Sequence, residues 1–192
     1  MGAPMKKIRI LALLLLTNGL LFSLPNIAQA GAESGLYIGI GSGDASLTVK
    51  GTDPTDGDYN LNDSDIGYKI FGGYNFGLIP FIDIAAEISY VDLGKTSTAF
   101  GNGNPVNYEV TGLNAFGLIG LNFGPFGLFV KAGVIDWDLD STLGGDSGTD
   151  PAYGIGARLQ FGSLGFRAEY EVYDVNPVQD LDMISVSILY TF

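Results

Sequence analysis

Residues 164–174 read Leu164-Gly165-Phe166-Arg167-Ala168-Glu169-Tyr170-Glu171-Val172-Tyr173-Asp174. Phe166, Ala168, Tyr170 and Val172 fall on one face of an extended chain, and Arg167, Glu169, Glu171 and Tyr173 on the other. A period of two is the signature of a β-strand, because successive side chains point to opposite sides. The flanking segments repeat the pattern. In 152–161, Tyr153, Ile155, Ala157, Leu159 and Phe161 oppose Arg158 and Gln160. In 182–192, Ile184, Val186, Ile188, Tyr190 and Phe192 oppose Ser185, Ser187 and Thr191. In 81–93, Ile82, Ile84, Ala86, Ile88 and Tyr90 oppose Asp83, Ala85, Glu87 and Ser89.

Working outward, eight such segments are expected, near 36–48, 64–76, 81–93, 108–123, 126–138, 152–161, 164–174 and 182–192. Gly and Asn blur the alternation in 36–48 and 108–123. Gly77-Leu78-Ile79-Pro80, Gly124-Pro125 and Gly162-Ser163 are tight turns. The stretches 49–63, 94–107, 139–151 and 175–181 are longer and polar. Short turns at one end and long loops at the other characterise transmembrane barrels, with the short turns on the periplasmic side. The predicted fold is therefore all-β, an eight-stranded antiparallel up-and-down transmembrane β-barrel with both termini at the short-turn end.

Alternation alone does not say which face points out. A soluble barrel would turn the apolar face inward around a ligand. Two features favour lipid outside: the polar faces carry charges in mid-strand, and the aromatics lie at two levels. Phe76, Phe123, Phe126, Phe161, Phe166 and Phe192 fall at short-turn ends, with Tyr90 and Tyr153 near the opposite ends. Interfacial girdles have this arrangement. In hydrocarbon every backbone N–H and C=O must be paired within the protein, which requires closure.

The first thirty residues read as a secretory signal. Lys6, Lys7 and Arg9 precede an interrupted apolar stretch, and Ala28-Gln29-Ala30 supplies small residues for cleavage. The domain plan is a signal peptide at 1–30 and one barrel domain at 31–192. No later stretch approaches the ~18 consecutive apolar residues of a spanning helix. Among 192 residues there are no cysteines and no histidines. Thiol chemistry, Ser-His catalysis and histidine-bound metal are thereby excluded. Beyond residue 30 the chain carries six basic against twenty-one acidic residues, a net of −15. Such a balance speaks against a nucleic-acid partner, which needs clustered Lys and Arg.

The last forty residues carry a family likeness. Tyr153-Gly154-Ile155-Gly156-Ala157-Arg158-Leu159-Gln160-Phe161, then Phe166-Arg167-Ala168-Glu169-Tyr170-Glu171, then Ile184 to Phe192, resemble the small outer-membrane barrels of the OmpA transmembrane-domain type. The resemblance implies an eight-stranded barrel in the Gram-negative outer membrane, inserted by the barrel-assembly machinery among lipid and lipopolysaccharide. Tyr190 and Phe192, ending the last strand, are the residues it marks as an assembly signal. Long members carry a peptidoglycan-binding domain; the chain stops at Phe192, so no cell-wall tether is implied.

Two groups of residues could carry function. Lys69, Lys131, Arg158 and Arg167 fall at inward positions, as do Asp83, Glu87, Glu169 and Glu171. An eight-stranded barrel is just wide enough for side chains to fill it, so four cations and four carboxylates are expected to pair into a network plugging the lumen. The competing reading is a gated pore or proton path. Carboxylates can serve acid–base catalysis, but no nucleophile accompanies them, so no enzyme and no cofactor is expected. The second group is the loop Asp53, Asp56, Asp58 and Asp63, with Lys50 beside it. Its spacing departs from the EF-hand pattern. It reads either as a solvated repulsive surface or as a weak divalent-cation site beside lipopolysaccharide, and no firm metal site is assigned. The expected function is a structural or surface-interaction role in the outer membrane. A narrow porin or small-solute channel is the alternative.

Overall fold

The alternation becomes a closed wall. In the computed structural model of the protein, residues 34–53, 57–77, 81–98, 106–141, 145–175 and 180–192 are described, with side chains for 34–46, 64–77, 81–94, 109–140, 145–175 and 181–192. The strands are β1 (Gly35–Asp53), β2 (Gly57–Asn75), β3 (Ile82–Thr98), β4 (Val106–Phe123), β5 (Phe126–Ser141), β6 (Asp146–Phe161), β7 (Leu164–Tyr173) and β8 (Asp180–Thr191). Each pairs antiparallel with the next, and β8 returns to β1, so the sheet is a closed barrel of eight strands. Closure removes both edges and pairs the wall's backbone groups. The signal-peptide expectation for 1–30 lies outside the described residues.

Two turns show why the short connections are short. Gly124-Pro125 and Gly162-Ser163 each join strands through two residues, and Gly124 and Gly162 have φ of 64° and 57°. A positive φ at the first loop position suits a tight hairpin and is open to glycine without steric cost. Gly35 and Phe192 lie at this same turn end, where the Phe192 amide donates to the Leu36 carbonyl at 2.9 Å.

The expected boundaries need one correction. The strands run further toward the loop end than the alternation indicated. Most of 49–63 is strand, and β1 and β2 stay in register out to Asp53 opposite Gly57. Half of 94–107 and most of 139–151 likewise belong to β3 to β6, with a register shift between Asp92 and Lys95. Asp140, expected in a loop, therefore stands with Asp136 and Asp138 on the outer wall of β5. Above the apolar band both faces of a strand can be polar. Hydrogen bonding continues there after the alternation has ended.

The outer face is apolar at mid-height. Ile40, Ile70, Ile88, Leu128, Ile155 and Val186 all point outward and are exposed, Ile40 by 60 %. All eight girdle aromatics are exposed as well. On β5 to β8 the outward apolar run spans about nine residues, which at ~3.3 Å per residue and ~40° tilt makes a band roughly 23 Å tall. Such a band matches the hydrocarbon core, where a barrel strand crosses in about 9–11 residues.

Inside, glycines make room for rings. A methyl group built on Gly39 would overlap the ring of Phe71, one on Gly73 would overlap Tyr37, and one on Gly156 would overlap Phe129. At these three positions a large side chain stands against an absent one.

Candidate functional site: the charged interior

The inner positions of each strand form a vertical sequence from the turn end to the loop end. On β3 it is Asp83, Ala85, Glu87, Ser89, Val91, Leu93; on β7 it is Gly165, Arg167, Glu169, Glu171, Tyr173. All eight lumen residues expected from the alternation point inward, and the fold brings them into two groups.

The first group lies at mid-height. The Lys69 ammonium is 2.6 Å from Glu169 Oε2 and 2.7 Å from Glu171 Oε2. The Lys131 ammonium is 2.8 Å from Glu169 Oε1, 2.8 Å from Glu171 Oε1 and 3.7 Å from Glu87 Oε1. Arg167 donates from Nη1 to Glu87 Oε2 at 2.6 Å, and the Tyr37 hydroxyl donates to the same oxygen at 2.9 Å. Three cations thus face three carboxylates, and each of the six is buried. Aromatic faces complete the shell: Lys131 lies 4.5 Å from the centroid of Phe116, and Arg167 lies 4.7 Å from Phe129. Ring faces attract cations, most strongly when both are desolvated.

The second group lies at the turn end. Arg158 Nη2 pairs with Asp83 Oδ2 and donates to Asn122 Oδ1 at 3.0 Å, while Asn75 Nδ2 donates to Asp83 Oδ1 at 2.9 Å. This pair is partly exposed, with Arg158 and Asp83 side chains 20 % and 12 % accessible.

A third layer was missed by the sequence reading. Toward the loop end the inner positions turn apolar: Val91, Leu93, Val110, Ile135, Trp137, Leu181 and Met183 are all buried, together with Tyr173. Trp137 is anchored by its indole N–H, which donates to Asp150 Oδ2 at 2.7 Å, so Asp150 belongs to the inner wall of β6. The missed signal was parity. Ile135 and Trp137 stand two and three alternations beyond Lys131 and share its face.

Tyr190 and Phe192 stand together on the outer wall, their rings edge-to-face with centroids 5.1 Å apart. Of the expected cation loop, Asp56 lies outside the described residues, and the side chains of Asp53, Asp58 and Asp63 are not among those described.

A closed antiparallel barrel with an apolar outer belt, aromatic girdles and ions within is a transmembrane β-barrel. Residues 12–192 match the model of the outer membrane protein beta-barrel domain family, and the chain belongs to that family. No curated protein sequence matches it. Among solved structures it is similar to Ail, the attachment invasion locus protein of Yersinia pestis, in complex with the heparin analogue sucrose octasulfate. That likeness has 16% identity and a TM-score of 0.55, over 83% of this chain and 99% of Ail. It is also similar to Neisserial surface protein A, at 15% identity and a TM-score of 0.55, over 83% of this chain and 98% of the other. At these identities the likeness shows the fold.

Proposed function

We propose that the protein is an integral outer-membrane barrel whose lumen is closed to solute flow and whose role is structural or surface-interacting, exercised through its loop end. The observation that carries this reading is the pairing inside the barrel. Three cations meet three carboxylates at mid-height, one of each meets at the turn end, and an apolar layer lies above. Isolated buried charges would each cost several kcal/mol, so the network holds itself together and fills the space a water column would need. The reading is that of a structural or surface-interacting barrel and not of an enzyme.

The outer wall supports a placement in the membrane. The outward apolar runs of β1, β3, β5, β7 and β8 give way at Asp44, Asp92, Asp136, Asp174 and Asp182. This acidic level stands where the polar headgroups of the outer leaflet would begin. In this reading the signal at 1–30 exports the chain, the barrel-assembly machinery inserts it, and both termini face the periplasm. Ail's solved complex holds a sulfated polyanion. An acidic loop end would repel such a ligand, so the partner here is cationic, or is anionic lipopolysaccharide bridged by divalent cations. Weak cation binding by Asp53, Asp56, Asp58 and Asp63 would serve the same purpose. A narrow channel is the second reading, favoured by the partly exposed Arg158–Asp83 pair at the turn end.

Orientation is testable because the chain has no cysteine. Ser147→Cys at the loop end should react with a membrane-impermeant maleimide on intact cells, and Ser163→Cys in a turn should react only after permeabilisation. Labelling of Ser163→Cys on intact cells would reverse the topology. Recovery of the protein from the soluble periplasm would end the membrane reading.

A further inference from the structure

Closure holds through the apolar belt and ends above it between two strands. β2 and β3 pair from Asn75 opposite Ala85 up to Tyr68 opposite Asp92, and among the described residues their ladder goes no further. Both strands continue. β2 stays paired with β1 out to Gly57 opposite Asp53, and β3 with β4 out to Thr98 opposite Val106. Above Tyr68 and Asp92 the two strands therefore part. The side of β2 turned away from β1 then meets no strand among the described residues over Gly57–Asp63.

The fork is built into the side chains beside it. Continuing the register would set Ile66 opposite Gly94. Instead the Ile66 amide donates to Asp65 Oδ1 at 2.8 Å, and the Gly94 amide donates to Asp92 Oδ1 at 3.0 Å. Gly94 has a φ of 84°, and a methyl group built on it would lie 2.7 Å from Asp65 Oδ2. A left-handed glycine beside a register shift bends a strand away from its neighbour. Tyr68 and Asp92 stand on the outer wall where the apolar belt gives way to aspartates. Below that level a parted sheet would leave backbone groups in hydrocarbon; above it water serves them.

A solvated strand edge is a template for one more strand. Main-chain hydrogen bonds supply the affinity, and side chains choose the partner. Residues 57–67 hold Asp58, Asp63 and Asp65 and no Lys or Arg. A second copy docked edge to edge would set aspartates against aspartates, which disfavours pairing. A lipid headgroup offers no row of alternating N–H and C=O groups. We propose that the β2 edge above the fork binds an extended, basic polypeptide segment as an added β-strand. This names a partner class for the surface-interacting reading above and rests on its outward-facing loop end.

The probe is a fluorescein-labelled peptide of five Thr-Lys repeats, added to the native protein in detergent micelles at low salt and followed by anisotropy. A second peptide of the same sequence and charge carries an N-methyl group on every backbone amide. The parent should bind saturably, and the methylated peptide about tenfold or more weaker, because its hydrogen-bond donors are gone. With the parent bound, amides in 57–67 should exchange more slowly with deuterium. Asp58→Asn with Asp63→Asn should weaken the parent about three- to tenfold. Equal binding of the two peptides without slowed exchange would reduce the interaction to charge and overturn the proposal, as would no binding of either. A dimer in sedimentation equilibrium that the peptide disperses would make a second copy the occupant and overturn the basic partner. Failed binding by a protein whose Ser147→Cys variant labels on intact cells removes the added strand and leaves the surface role. Labelling of Ser163→Cys on intact cells removes the reading beneath both.

Discussion

Arg167 has its guanidinium 2.6 Å from Glu87 Oε2, with the ring centroids of Tyr37, Phe71 and Phe129 at 5.4, 5.0 and 4.7 Å. It can be neither solvated nor moved without unpacking that cage. Arg167→Ala would leave Glu87 with Tyr37 and the more distant Lys131 for company. Removing one partner of a buried pair typically costs about 3–5 kcal/mol, and a loss of that order is expected in urea unfolding from lipid vesicles. Arg167→Met combined with Glu87→Gln should recover part of it, because no lone charge remains. A loss below about 0.5 kcal/mol for the single variant would mean that the interior is already wet. The residue-level reading was accessible early: Arg167, Glu169 and Glu171 declare their face by alternation alone. Their partners did not, since contacts such as Lys69 to Glu171 join residues far apart in the chain, and register decides which of them meet.

At the scale of the strand, glycine sets the packing. Gly156 of β6 lies against the ring of Phe129 on β5, paired directly opposite it. Gly156→Ala should destabilise by about 1–3 kcal/mol through overpacking, and Phe129→Leu in the same chain should relieve it. Absence of both effects in thermal or urea unfolding would show that the ring has room to turn aside. The strands themselves were legible wherever a strand divides lipid from lumen, as in 164–173 and 184–192. They were illegible in two places for opposite reasons. Beyond the belt, in 49–53 and 57–63, no apolar side marks the strand even though the backbone pairs. In the upper half of β5, Val134 faces out and Ile135 and Trp137 face in. Apolar residues on both faces erase the alternation there and conceal the layer that caps the ions.

At the scale of the whole molecule, the barrel is stratified: a partly open polar mouth at the turn end, a neutral ion cluster at mid-height, and an apolar layer beneath the loops. The outer wall was readable from the sequence because the membrane imposes it on every strand. The cap was not, because it depends on which inner side chains meet across the lumen. The direct measurement of the central claim is single-channel recording of the purified protein in planar bilayers. The native barrel should give rare, small conductance steps. Trp137→Ala together with Arg167→Ala, which removes the cap and opens the cluster, should give larger and more frequent ones. Steady large-conductance channels from the native protein would contradict the sealed lumen and make the barrel a porin.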